Sequence, residues 1–291
     1  MKTTLDIIDR AARQHPRFTV AYSGGSDSNV LLDILFHRTP HRPAVIFADS
    51  QLEYPGTLEY LQERCASYGA TLKIARAKQT PVDIWRKHGW PFWGKQSARL
   101  FMQKNPELGV RCDVSTCCRK LKIEPARRLS KALGATAMLV GTKGKEDDAL
   151  RGLRAVKDGA TVYVKQDDLV SVAPLTGWTD TMVRRYLRVN GISSHPAKRA
   201  GALTIGCVVC GGGAQFDNSG WRILRRTWPE GWRWFFVACE AGPAMLAVKY
   251  RRPLKEVLEA IAVLGGLEKV AETRPWLFDF LQVPPKKGYD K

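Results

Sequence analysis

The sequence predicts an α/β protein: a doubly wound parallel sheet followed by a smaller, mainly helical C-terminal region. Three observations carry that prediction. Apolar runs of strand length at 18–22, 44–48, 71–75 and 137–141 alternate with helical periodicity at 29–36, 56–68 and 121–133, the order that builds parallel strand-helix-strand units. Between the first strand and its helix lies VAYSGGSDSNVLLDIL, residues 20–35, a tight glycine-serine loop. From about residue 217 the alternation stops and helical patterns take over, clearest at 253–264. The expected division is therefore 1–215 for the sheet domain and 216–291 for the helical region.

In chain order, MKTTLDIIDRAARQHPRF reads as an amphipathic helix, with charges throughout and no long apolar stretch. The first strand then runs into Ser23, Gly24, Gly25, Ser26, Asp27 and Ser28, and a helix starts near Asp27 or Ser28. Glycines let the backbone turn and present N–H groups to a ligand, and the helix N-terminus adds the positive end of its dipole. Such a corner is an anion site, and phosphate is its natural guest. The Gly-Lys-Ser/Thr ending of the ATPase P-loop is absent, so γ-phosphate transfer is not indicated. In a doubly wound sheet ligands bind beyond the carboxyl ends of the strands, where Asp49, Gly141, Thr142 and Lys143 also fall. The segment 79–110, with Trp85, Trp90, Phe92 and Trp93, reads as an irregular excursion, either a lid or a packed cap. Residues 161–174 suit a hairpin or a last pair of strands, and 179–190 a helix.

Composition narrows the function classes. An apolar fraction of 44% over 291 residues fills a core, and no run is long enough to suggest secretion or a membrane span. A cytoplasmic protein is expected. Forty-six Lys and Arg against 28 Asp and Glu leave +18, which favours a polyanionic partner such as tRNA or DNA. Basic side chains gather at Arg184, Arg185, Arg188, Lys198 and Arg199. In WRILRRTWPEGWRWFF, arginines Arg222, Arg225, Arg226 and Arg233 interleave with tryptophans, which suits phosphate contact and base stacking as well as local packing. The five histidines lack ligand spacing and read as surface or helix-end residues.

Seven cysteines in a chain with no export signal argue for thiols rather than a disulfide framework. Cys117 and Cys118 are adjacent in STCCRKLKIEP, and Cys207 and Cys210 form a Cys-x-x-Cys knuckle before three glycines. The knuckle is a metal half-site. Adjacent cysteines reach one tetrahedral ion only with strain, which favours a [4Fe-4S] cluster over Zn²⁺, with Cys112 as a reserve ligand.

With these motifs in place, the chain resembles the phosphoadenosine phosphosulfate reductase family in the broad sense. That family belongs to the PP-loop, or adenine nucleotide alpha hydrolase-like, fold of ATP pyrophosphatases, whose pyrophosphate loop is similar to Ser23-Gly-Gly-x-Asp-Ser28. The resemblance continues through Asp49 and Pro55, Cys117-Cys118 with Lys122 and Pro125, Val140-Gly-Thr-Lys143 running on to Arg151, Pro174 with Trp178, and Ile205-Gly-Cys207-x-x-Cys210. Its closest motif patterns are the DndC-like sulfur-incorporation proteins and the iron–sulfur adenosine phosphosulfate reductases. Two departures matter. The reductases carry a catalytic cysteine in a C-terminal Glu-Cys-Gly-containing tail, whereas the last cysteine here, Cys239, sits in the apolar FFVACEAGP. They also tend to alter the loop that this chain keeps, and Lys143 stands where the family usually has arginine.

The resemblance implies an ATP pyrophosphatase that adenylates an acceptor, expected to be a nucleic acid, for sulfur transfer or a related modification, with a sulfur donor protein as a further partner. In that expectation the loop holds pyrophosphate, Asp27 or Asp49 positions Mg²⁺, and Lys122, Lys143 and Arg151 offset charge at the α-phosphate. The alternatives are a sulfonucleotide reductase using an external thiol and a non-enzymatic nucleic-acid binder.

Overall fold

FTVA forms the first strand because its two β-branched central residues, Thr19 and Val20, are buried on opposite faces of a sheet covered on both sides. The structure is a computed structural model that describes residues 2–91, 95–111, 114–143, 161–163, 169–202, 205–210, 226, 228–238 and 241–274. Its strands are β1 (Phe18–Ala21), β2 (Ala44–Asp49), β3 (Leu72–Arg76), β4 (Ala137–Leu139), β5 (Thr161–Tyr163) and β6 (Val170–Val172). They form one sheet in the order β3-β2-β1-β4-β6-β5. Five strands run parallel, and β5 closes one edge antiparallel to β6, so the pair expected within 161–174 is present.

The sheet is doubly wound, as expected. On one face Val20, Val45 and Leu139 pack with Val30, Leu31, Ile34 and Leu35 of α2 (Ser26–Arg38) and with Ile8 and Ala11 of α1 (Lys2–Gln14). Tyr60 and Leu61 of α3 (Thr57–Ser67) join the same cluster. On the other face Ile46, Ala75 and Met138 meet Ala126 and Leu129 of the helix Glu124–Ala132. Helix α2 is buried from Ser28 to Phe36. Each such leucine or isoleucine contributes about 1.5–3 kcal/mol by leaving water, which anchors the loop at the start of α2.

The segment 79–110 is not irregular. It carries α4 (Pro81–His88) and α5 (Lys95–Lys104). Thr80 caps α4 by accepting from the Asp83 N–H at 3.2 Å, while Asp83 accepts from the Thr80 N–H at 3.1 Å, a capping box completed by Pro81 at the first helical position. Trp85 is buried and meets the Phe235 ring edge to face at 5.4 Å. That contact explains why the expected boundary at 215 is replaced by a different division. One compact unit is Met1–Ser50, Gly56–Ala77 and Leu121–Arg199; the other is Gln51–Pro55, Lys78–Lys120 and Ala200–Lys291. The second unit gathers the excursion with C-terminal helices including Ala241–Tyr250, Leu254–Val263 and Leu267–Thr273. Among the described residues no helix is long and apolar enough to cross a membrane.

Candidate nucleotide site

The sheet unit presents its glycine-serine loop where β1 ends. Gly24 lies in the left-handed region at φ +76°, which the chain needs in order to turn from strand into α2. A Cβ there would stand 3.0 Å from Leu61 Cδ2, 3.1 Å from His195 Cδ2 and 3.3 Å from Tyr60 Cε1. Glycine is required twice over, by backbone conformation and by space. Gly25 is the N-cap of α2 and offers no side-chain cap, so the first amides of the helix are left to a ligand or solvent. Ser23 and Ser28 face each other with their hydroxyl oxygens 3.2 Å apart, and the Ser28 hydroxyl donates to the Gly25 carbonyl at 3.0 Å. Ser23 is exposed, Ser26 and Asp27 are half-buried, and Ser28 is buried.

Beneath this loop runs a polar network that sequence reasoning missed. Tyr22 donates to Asn29 Oδ1 at 2.7 Å, and Asn29 Nδ2 donates to the Gly24 carbonyl and to the Tyr60 oxygen, each at 3.0 Å. Tyr60 in turn donates to the Ser193 carbonyl at 2.8 Å. Burial pushes the Tyr22 hydroxyl well above the ordinary tyrosine range and raises that of Tyr60, so both act as neutral donors. His195 is a helix-end residue, as read, but it is not on the surface. It is 1% exposed, accepts from the Ala197 N–H at 3.1 Å and packs edge-on against Tyr60 at 5.0 Å. The available signal was a polar residue at a buried helical position, Asn29, directly after the loop.

Of the charged residues expected at the site, Lys143 is brought to the loop. Its ammonium lies 2.5 Å from Asp27 Oδ2 and 3.1 Å from Asp180 Oδ1, the latter in the first turn of the helix Asp180–Val189. Burial pulls the Lys143 pKa down, but the bonds to Asp27 and Asp180 outweigh it and the net shift is upward. Gly141 lets this strand end approach α2: a Cβ would be 3.1 Å from Ser28 N and 3.2 Å from Asp27 C. Asp49 is buried at the end of β2 and accepts from Arg76 Nε at 2.6 Å. Lys122 is half-buried in the π-turn Arg119–Ile123. Arg151 lies outside the described residues. Asp180 and Arg76 were missed, because TD at 179–180 read only as a helix start.

The four candidate ligand cysteines belong to the other unit. Cys117, on the short helix Val114–Cys118, is buried and accepts from Trp85 Nε1 at 3.3 Å, while Cys118 is half-buried. Cys207 and Cys210 flank a tight turn in which the Cys210 N–H donates to the Cys207 carbonyl at 3.0 Å, and the Val208 N–H is tied to the Leu52 carbonyl at 2.8 Å. All four are thiols rather than disulfides. Their donor chemistry suits iron–sulfur or zinc, but among the described residues no three His, Cys, Asp or Glu come close enough together to hold a metal. Cys112 and Cys239 lie outside the described residues.

The basic C-terminal segment leans toward local packing where it is described. Arg233 pairs with Glu268 and Glu272 at 2.8 Å each, Trp228 covers Gly231, and Trp234 lies 6.3 Å from Trp85. Trp221, Arg222 and Arg225 lie outside the described residues. On the sheet unit Arg184, Arg185 and Arg188 are exposed.

Comparison with known proteins agrees with this architecture. The chain is 27% identical over 197 residues to a phosphoadenosine 5'-phosphosulfate reductase of Alkalilimnicola ehrlichii, covering 68% of this chain and 71% of that one. It is 24% identical over 213 residues to adenosine 5'-phosphosulfate reductase 2 of Bacillus subtilis, covering 71% of this chain and 78% of that one. Among solved structures, the phosphoadenylyl-sulfate reductase of Candida auris shares the fold, with a TM-score of 0.50 and 22% identity over 70% of this chain and 87% of that one. The family model for the phosphoadenosine phosphosulfate reductase domain matches residues 17–212, from the start of β1 to just past the Cys207-x-x-Cys210 turn, and the chain therefore belongs to that family.

Proposed function

We propose that the chain is a sulfonucleotide reductase that holds the nucleotide phosphate on the loop Ser23–Ser28 and uses an external thiol. This replaces the sequence expectation of an adenylating sulfurtransferase as the leading reading. The reductase names of its relatives support it, and so does one observation at the site. Asp27 and Asp49, the carboxylates expected to position Mg²⁺, are already engaged by Lys143 and Arg76. A cation-neutralised loop suits a sulfonucleotide, which has no β,γ-pyrophosphate to bring with its metal.

In the reaction, an incoming thiolate attacks the sulfate sulfur and the S–O bond to the phosphate breaks, leaving its electron pair on the phosphate oxygen. The backbone amides at Gly25 and the first turn of α2, with the Ser23 hydroxyl and the Ser28 hydroxyl once it turns from the Gly25 carbonyl, receive that developing charge, and Lys143 neutralises it. A second thiol then releases sulfite and leaves a disulfide, so two thiols are oxidised as sulfur is reduced. The test is protein incubated with adenosine 5'-phosphosulfate, or its 3'-phosphorylated form, and excess dithiothreitol. Sulfite and the desulfated nucleotide are expected, and no sulfite from either substrate would overturn the reading.

The adenylating alternative keeps one specific point in its favour, the unaltered Ser-Gly-Gly-x-Asp-Ser loop. Conversion of ATP and Mg²⁺ into AMP and pyrophosphate would move the assignment there.

The cysteine set is proposed to bind a [4Fe-4S] cluster through Cys117, Cys118, Cys207 and Cys210, which requires those thiols to come together on loading. Anaerobically prepared protein should then carry iron and acid-labile sulfide and show an oxygen-sensitive brown absorbance. Stoichiometric zinc without iron would contradict the cluster and keep the ligands.

A nucleic-acid partner is proposed from the +18 charge and the exposed Arg184, Arg185 and Arg188. Binding to tRNA or DNA should weaken with salt, log K falling by about 0.7–0.9 per phosphate contacted. Changing the three arginines to glutamine should reduce that slope. A flat salt series would leave the basic surface to solubility.

A further inference from the structure

Asn29 is 2% exposed, and both the nitrogen and the oxygen of its amide are engaged. Both Nδ2 donors are engaged, one with the Gly24 carbonyl and one with Tyr60, and Oδ1 accepts from Tyr22. Tyr60 passes the restraint on to the Ser193 carbonyl, two residues before the buried His195 that walls the underside of Gly24. The network ties three separated stretches of chain to one peptide group, and in a buried setting such a satisfied network resists reorientation.

The consequence lies in that peptide's geometry. There are no cis peptides among the described residues, so the Gly24 carbonyl and the Gly25 N–H point in opposite directions across a planar unit. Drawing the carbonyl inward to Asn29 aims the Gly25 N–H outward, on the side of the Ser23 and Ser28 hydroxyls. Its contact with Ser23 Oγ is long, 3.4 Å, which leaves the donor available to a stronger acceptor. We infer that Asn29 and Tyr60 are positioning residues that fix the direction of the Gly25 amide and so set the affinity of the loop for phosphate. The inference rests on the loop being the phosphate site, as proposed above.

Asn29→Asp keeps the shape but replaces the amide donors with a carboxylate facing the Gly24 carbonyl; Tyr60→Phe keeps the ring and removes the hydroxyl. Each is titrated with inorganic pyrophosphate and with adenosine, alongside a thermal melt and the Gly25 amide resonance in a glycine-labelled sample. Pyrophosphate affinity should fall about tenfold to a hundredfold in Asn29→Asp and about fivefold in Tyr60→Phe. Adenosine affinity should be unchanged, and the pyrophosphate-induced shift of the Gly25 amide should shrink. Should Asn29→Asp fail to fold, Tyr60→Phe decides. Wild-type pyrophosphate affinity in the folded variants, or equal losses for pyrophosphate and adenosine that follow the melting temperature, would overturn the inference while leaving the phosphate loop standing. No Gly25 response to pyrophosphate in the wild type would instead overturn the phosphate-site reading and the inference together.

Discussion

Lys143→Met is expected to reduce kcat/KM for the sulfonucleotide by roughly 10²–10³-fold while the protein stays folded. The ammonium is the charged donor that the structure brings to the loop, and removing a donor aimed at developing charge typically has an effect of that order. Methionine keeps most of the stem, so packing between Asp27 and Asp180 is largely retained. Lys143→Arg should recover most of the activity, because a guanidinium restores the charge and adds bidentate reach to phosphate. A purely structural lysine would give the opposite pattern, with a lowered melting temperature in both variants and little change in turnover. The pH dependence has a definite sign. Because the net shift of Lys143 is upward, its contribution to stability is fully present below its ordinary value of 10.5 and is lost only as the pH rises through the higher folded value. The stability difference between Lys143→Met and wild type should therefore be flat from neutral pH to about pH 9.

Gly24→Ala should damage both the fold and the nucleotide site. At φ +76° any side chain carries the left-handed penalty of about 1–2 kcal/mol. Its Cβ would also meet Leu61, His195 and Tyr60 at 3.0–3.3 Å, so the loop must lift or three packed side chains must give. Either response disturbs the Asn29 bond to the Gly24 carbonyl. Nucleotide affinity should fall at least tenfold, a loss of about 1.4 kcal/mol, together with a lower melting temperature. Gly56→Ala is the control: its φ is also +76°, but a Cβ there meets nothing within 4 Å. It should lose stability without losing nucleotide binding.

Much of this fold was legible because the apolar runs are short and separated by good helical periodicity; 18–22 and 44–48 land on β1 and β2 almost residue for residue. The loop was legible because glycine and serine at a strand end have few other uses. The excursion at 79–110 was not, since Gly89 and Pro91 break it up and its helix α4 depends on a capping box at Thr80 and on Trp85 finding Phe235, which is remote in sequence. The division into units failed for the same reason, as no local pattern announces contacts between 78–120 and the C-terminal helices. Within the site, Lys143 was found by motif. Asp180, Asn29, Tyr60 and His195 were missed because their roles arise only when distant segments are folded beneath one loop. Local sequence shows the groups facing the ligand more readily than those holding them in place.

The most direct measurement of the central claim is a calorimetric titration of wild-type and Ser28→Ala protein with AMP and with adenosine. If the loop grips the nucleotide phosphate, the wild type binds AMP at least tenfold more tightly than adenosine, a margin of about 1.4 kcal/mol. Ser28→Ala should lose most of that margin while its melting curve stays close to wild type. Equal affinity for AMP and adenosine in the wild type, or an undiminished preference for AMP in Ser28→Ala, would contradict the account.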